Sequence, residues 1–173
     1  MNIKEKLFSL HELLRTNHVD HMLIGGLGMG MLGVERFTND IDFMIAASDV
    51  ETIKLALFPL GYKPLHTSTD VLQFSGDIAV DFLLAHRPLA LQMLRDAPIL
   101  TGTKLKYASA EAMIALKIQA YSNNKKREFR DKADIQALIE TGSKLDWALI
   151  KKYAEMFGEW HTIVEIRERV GKK

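Results

Sequence analysis

Two carboxylates stand in stretches that otherwise read as buried strand. Asp42 lies within Ile41-Asp42-Phe43-Met44-Ile45, and Asp81 within Ile78-Ala79-Val80-Asp81-Phe82-Leu83-Leu84. An unpaired carboxylate in an apolar interior costs several kcal/mol, so such groups must be paired, bound to a cation or placed at a wet strand end. Asp40 precedes Asp42 by two residues, and on an extended chain residues i and i+2 share a face. If the strand bearing Asp81 lies beside them, three carboxylates converge. Hard oxygen ligands of this kind suit Mg²⁺, which keeps several waters and takes substrate phosphates as its remaining ligands. Two such ions can activate an attacking oxygen and stabilise a leaving one in phosphoryl or nucleotidyl transfer. Singly, each aspartate has a plainer explanation. Asp40 after Asn39 could be turn chemistry, Asp42 could pair with Arg36, and Asp81 could sit at an exposed edge. The three together are poorly explained that way.

The rest of the chain supplies a frame for such a site. Ile3, Leu7, Leu10, Leu13 and Leu14 have helical spacing, which predicts an amphipathic helix over 2–17. Residues 20–24 read as a short strand ending at Gly25-Gly26, followed by a small-residue helix over 27–34. Ser48 is the expected N-cap of a helix over 49–58, closed by Gly61. Strands near 71–75 and 78–84 are expected to form a hairpin turning at Gly76-Asp77, and Pro88 suits the first turn of a helix reaching Arg95. From Ser109 onward the pattern is helical, with segments over 111–120, 130–140, 147–156 and 159–170. The reading is an α+β core over 1–100, with a small mixed sheet flanked by helices, and a helical C-terminal portion over 101–173 packed on it.

Composition removes whole classes of chemistry. A chain of 173 residues is one domain, or one domain with an appendage, and is long enough to bury a core. The absence of cysteine excludes disulfides, thiolate nucleophiles, Cys-bound zinc and iron–sulfur clusters. No run of about 18 uncharged apolar residues is present, so no transmembrane helix is expected. The first residues lack the apolar stretch of a signal peptide, which makes a cytoplasmic protein the expectation. The net charge of +1 divides into −5 over residues 1–85 and +6 over residues 86–173. That split would set metal-binding carboxylates opposite a basic wall facing phosphates, or reflect chance on solvated faces.

Further motifs sort by weight. Gly25-Gly26 after a strand lets a phosphate approach the backbone next to a helix N-terminus, although a tight turn would look the same. Gly28-Met29-Gly30-Met31-Leu32-Gly33 matches the dinucleotide pattern G-x-G-x-x-G, with Glu51 downstream, but it begins inside the expected helix, and the later strands form a hairpin instead of parallel βαβ units. No P-loop and no H-E-x-x-H spacing occur, and His66 and His86 stand alone. Lys117, set in Met113-Ile114-Ala115-Leu116-Lys117-Ile118, needs an anionic partner: a triphosphate, or a carboxylate such as Asp131 or Asp134. Lys125-Lys126-Arg127 reads as an exposed loop, either simply solvated or in contact with an RNA backbone or nucleotide phosphates.

In order, Gly25-Gly26, Arg36-Phe37-Thr38-Asn39-Asp40-Ile41-Asp42 and Asp81 resemble the DNA polymerase beta-type nucleotidyltransferase superfamily. The Arg-x-Thr-x-Asp-Ile-Asp spelling is closest to its minimal bacterial and archaeal members, including the toxins of abortive-infection toxin–antitoxin systems. Lys117 with Arg130-Asp131 and Asp134 is similar to a helical motif of the same proteins. The resemblance implies the nucleotidyltransferase fold and transfer of an NMP from an NTP to a hydroxyl acceptor with release of pyrophosphate. Two Mg²⁺ ions, or Mn²⁺ in their place, would be held by Asp40, Asp42 and Asp81, with Asp81 also helping to deprotonate the acceptor. Gly25 and Gly26 would hold the triphosphate, Arg36 and Thr38 would brace the carboxylates or touch phosphate, and Lys117 and Arg130 would face the nucleotide or acceptor. The implied acceptor is RNA (tRNA in particular) or protein ahead of a small molecule such as an aminoglycoside, and an antitoxin partner belongs to the same picture. The chain departs from the pattern at Gly26, where many members carry a serine that ligates phosphate. The acceptor-binding domains of larger polymerases are also missing. The alternative is a catalytically inactive nucleotide-binding or partner-binding module of the same fold.

Overall fold

The computed structural model describes residues 2–142 and 144–171. The chain separates into two compact units, Met1–Met31 with Arg36–Ala108, and Leu32–Glu35 with Ser109–Lys173.

The first unit opens with α1 (Ile3–Thr16), whose N-cap Asn2 and Glu5 form a reciprocal capping box. Leu7, Leu10 and Leu14 turn inward from it and are buried. Strand β1 (His21–Leu23), helix α2 (Gly25–Met31) and strand β2 (Asp40–Ala46) follow, then a short 3₁₀ turn (Ala47–Asp49) and α3 (Val50–Leu57). Ser48 lies inside that turn, and Asp49 occupies the N-cap position without a side-chain hydrogen bond, so the expected serine cap is absent. Helix α2 starts at Gly25 itself, two residues before the expected start, because Gly25 adopts φ +62° and turns the chain directly out of the strand. Gly61, at φ +84°, closes the 3₁₀ turn (Phe58–Leu60) that extends α3.

Strands β3 (Lys63–Thr67), β4 (Val71–Ser75) and β5 (Ala79–Ala85) come next, then α4 (Pro88–Asp96) and the two-residue β6 (Lys106–Tyr107). Among the described residues six strands form one mixed sheet in the order β3-β4-β5-β2-β1-β6. The β4–β5 hairpin is antiparallel as expected, and β2 pairs parallel to β5 in the middle. The core lies on the sheet face presented by Ile41, Phe43 and Ile45 of β2, Leu72 and Phe74 of β4, and Val80 and Phe82 of β5, packed with the leucines of α1 and with Ile53 and Leu57 of α3.

The second unit is helical: α5 (Ala110–Asn123), α6 (Glu128–Thr141), α7 (Trp147–Glu155) and α8 (Trp160–Gly171). Ser109 caps α5 and Asp146 caps α7, each accepting from a backbone N–H three residues on. Lys125–Arg127 is a 3₁₀ turn capped by Asn124. Among the described residues no helix is long and apolar enough to cross a membrane.

Candidate active site

Alternation along three neighbouring strands creates the site. On β2, Ile41 and Phe43 point into the core, so Asp40 and Asp42 face the other way. The same phase on β5 turns Asp81 outward between Val80 and Phe82, and on β4 it turns Gln73 outward between Leu72 and Phe74. The parallel register sets Asp42 directly opposite Asp81, and the antiparallel register sets Asp81 opposite Gln73. One row of polar side chains thus crosses three strands of an otherwise apolar sheet.

Carboxylate oxygens of Asp40, Asp42 and Asp81 lie within 4.8 Å of one another. All three residues are half-buried. Burial is the main influence on the Asp81 carboxyl and pushes its pKa up; the Gln73 amide, which donates to Oδ2, opposes this, while the Asp40 charge adds to it. Thr38 donates its hydroxyl to Oδ1 of Asp40. Asp40 and Asp81 each accept from a neutral donor, and three carboxylates meet in one place. This donor set fits a hard divalent cation and would be costly without one.

The two glycines fit the same geometry from below. A Cβ on Gly25 would stand 1.8 Å from Oδ2 of Asp42, and one on Gly26 would stand 2.6 Å from Cβ of Thr38. The first would occupy space that the Asp42 carboxylate already fills, and the second the space of Thr38, which braces Asp40. The Ile24 N–H donates to the Asp42 carbonyl at 2.9 Å, tying the start of the glycine turn to the strand. Arg36 is half-buried on the same approach to β2, beside the almost fully exposed Phe37.

Lys117 and Arg130 belong to the second unit. Lys117 is buried, and its ammonium lies 2.7 Å from Asp134 Oδ2 and 3.3 Å from Asp131 Oδ1. Arg127, from the 3₁₀ turn between α5 and α6, reaches the other Asp131 oxygen at 2.9 Å, so two cations balance the two carboxylates. The carboxylate partner foreseen for Lys117 is thus present. Arg130 is exposed. Gln73 had drawn no attention in the sequence: a glutamine alternating with Leu72 and Phe74 is what any solvent-facing strand position looks like, and only the register exposes its contact with Asp81.

No protein-family model matches the sequence, and no curated protein matches it either. Solved structures do resemble it. The antibiotic-resistance factor ANT(2'')-Ia superimposes with a TM-score of 0.65 at 12% identity, over 94% of this chain and 95% of that one. The lincosamide antibiotic adenylyltransferase LnuA, lincomycin-bound, gives 0.59 at 18% identity, over 82% of this chain and 99% of that one. An antigenic nucleotidyltransferase-like protein from Paracoccidioides brasiliensis gives 0.55 at 18% identity, over 92% and 89%. The chain has the nucleotidyltransferase fold. Within the nucleotidyltransferase fold of this chain, the parallel β2–β5 pair carries the acidic row, and the glycine turn before α2 lies against it.

Proposed function

We propose that the protein is a divalent-metal-dependent nucleotidyltransferase that moves an NMP from an NTP to an acceptor hydroxyl and releases pyrophosphate. The observation that carries this is the convergence of Asp40, Asp42 and Asp81 within 4.8 Å on one face of the sheet. Asp40, Asp42 and Asp81 are the residues that would hold Mg²⁺, or Mn²⁺ in its place, and the ions would neutralise the phosphates and lower the barrier to attack on the α-phosphorus. Thr38 and Gln73 hold the Asp40 and Asp81 carboxylates, and the Gly25-Gly26 turn, having no side chains, lets the Asp42 carboxylate and Thr38 lie close against it. Asp81 takes the proton of the acceptor hydroxyl as the new P–O bond forms and the bond to the β-phosphate bridge breaks. Arg36 adds a cation on the phosphate side, whereas Lys117 is taken up by Asp131 and Asp134 within the helical unit.

The motif spelling favours RNA, tRNA in particular, or protein as acceptor in a cytoplasmic toxin-like protein with an antitoxin partner. A second reading, a small hydroxylated acceptor, is favoured by the similar size of the structural neighbours. ANT(2'')-Ia, in complex with adenylyl-2"-tobramycin, is covered over 98% of its length, and lincomycin-bound LnuA over 99%. The test is label transfer from each α-labelled NTP in the presence of Mg²⁺, with tRNA, cell protein and hydroxylated antibiotics in separate arms. Label should appear in one arm and vanish with Asp42→Asn, whose thermal unfolding should match that of the parent. Equal transfer by the variant would refute the assignment. Nucleotide binding without turnover in any arm would leave a binding module.

A further inference from the structure

The first unit holds a second polar cluster that the aspartates do not use. His11 on α1 and His21 on β1 are 3% and 5% exposed. His21 Nδ1 lies 2.8 Å from the Val19 carbonyl, which only accepts, so the proton sits on Nδ1 and Nε2 carries a lone pair. That lone pair lies 2.7 Å from His11 Nδ1, which must donate to it. The chain of bonds fixes both neutral tautomers and leaves His11 Nε2 bare of a proton, 3.8 Å from Glu12 Oε1. Two acceptors do not satisfy each other, so this nitrogen, at the wall of a solvent-reached depression, is open to a donor from outside.

Both imidazoles line a cavity of about 270 Å³ whose other polar walls are Arg15, His18, Asp20, Lys104 and Lys106. With neutral imidazoles the lining carries three positive charges and one negative, and Glu12, 3.8 Å from His11 Nε2, adds a second negative. Lys106 is committed to Asp20 at 2.8 Å, and Arg15 uses Nε and one terminal nitrogen on Glu12 at 3.0 and 2.7 Å. The second Arg15 terminal nitrogen and the exposed Lys104 keep donors available to the cavity. The register places His21 opposite Ile45, three residues and roughly 10 Å along β2 from Asp42. The cavity is therefore separate from the acidic row.

We infer that this cavity binds a phosphate group, as inorganic phosphate or as a small phosphate monoester, between Arg15, Lys104 and His11 Nε2. Charge selects an anion over a metal cation here. Among the described residues the only cluster of three or more metal-type ligands is the aspartate triad. A phosphate hydroxyl donates to His11 Nε2, or passes its proton there and accepts the N–H back, so binding is linked to proton uptake. Burial holds both imidazoles below their ordinary pKa, which keeps the pair neutral until an anion arrives. The groups facing His11 are Glu12 and Arg15 from α1, His18 from the following turn, Asp20 and His21 from β1 and its approach, and Lys104 and Lys106. Glu12 and Asp20 favour the added proton, and the three cations oppose it until phosphate offsets them.

The proposal is tested on the full-length protein by following ¹⁵N-labelled imidazole resonances during titration with inorganic phosphate, and separately with AMP. Saturable shifts at His11 and His21 are expected, tighter toward acidic pH. Binding should weaken about fivefold or more when Arg15 and Lys104, both exposed, are replaced by alanine. It should be unchanged in Asp42→Asn. Saturation by phosphate and not AMP assigns the site to the free ion; saturation by both assigns it to the monoester class. A drift proportional to ionic strength that chloride reproduces would overturn the proposal, and so would loss of the shifts in Asp42→Asn. Stoichiometric shifts with Zn²⁺ but none with phosphate would overturn it in favour of a metal.

Discussion

Gln73 shows how much one neutral side chain can decide at an acidic site. Its amide donates to one oxygen of Asp81 and so constrains the direction of the other. Gln73→Leu keeps the bulk and removes the donor, leaving a half-buried carboxylate oxygen without its partner. In the proposed reaction this should lower kcat by about tenfold to a hundredfold with little change in KM for the nucleotide, since an unmade hydrogen bond costs about 1–3 kcal/mol. Gln73→Glu adds a fourth negative charge to the row and should be worse. Steady-state kinetics of the two variants, with melting temperatures as a control on folding, separate this role from a structural one. The glycines teach a related lesson. The sequence suggested that Gly25-Gly26 makes room for phosphate, whereas the nearest atoms that need the room belong to Asp42 and Thr38. Asp42 and Asp81 were legible because a carboxylate in an apolar strand demands an explanation. Gln73 was not, because nothing about a glutamine on an alternating strand does.

Among the elements, the α1–β1 pairing is held by a bond that acid should break. His11 and His21 share one hydrogen bond inside the unit, and protonating both would set two positive rings 2.7 Å apart at the bonded nitrogens. Burial holds both pKa values below the ordinary 6.5 that applies in the unfolded chain. Below that value the unfolded state therefore binds more protons than the folded one, and stability falls as pH drops through it. In a buffer free of phosphate, the melting temperature should decline between about pH 7.5 and about pH 5.5. Replacing His11 by Gln should flatten part of that decline. A profile already flat in the parent would show that the pair tolerates protons. Element boundaries were legible wherever periodicity is strong, as in α1, β5 and the four C-terminal helices. Strand β3 was missed because Lys63-Pro64-Leu65-His66-Thr67 is exposed throughout and lacks alternation, and β6 because two residues carry no period. The serine cap at Ser48 failed because a 3₁₀ turn takes up the chain before α3 begins.

At the level of the whole chain, the contrast between an acidic first half and a basic second half largely dissolves once the cut follows the structure. The first unit holds ten basic and eleven acidic residues and the second thirteen and eleven, because Arg87, Arg95, Lys104 and Lys106 belong to the sheet unit. What distinguishes the units is where charge is buried. In the first it is a row of like charges that calls for a cation; in the second it is buried Lys117 balanced against Asp131 and Asp134, with the half-exposed Arg127 reaching Asp131 as well. Asp131→Ala removes one carboxylate from beside a buried ammonium and should destabilise by about 3 kcal/mol. Amide exchange should show the loss in α5 and α6, while amides of β2 and β5 keep their protection; a uniform loss would mean that the two units open together.

The pairing of β2 with β5 also has a consequence in time. Asp42 and Asp81 are 39 residues apart in the chain and become neighbours only when two parallel strands join across the whole intervening segment. The hairpins β3–β4 and β4–β5 close short loops and can form early, but neither contains two members of the triad. A chain emerging from a ribosome or returning from denaturant can therefore be compact, hydrogen-bonded and still chemically inert. For the proposed reaction, competence therefore depends on that long-range pairing, which neither hairpin can supply.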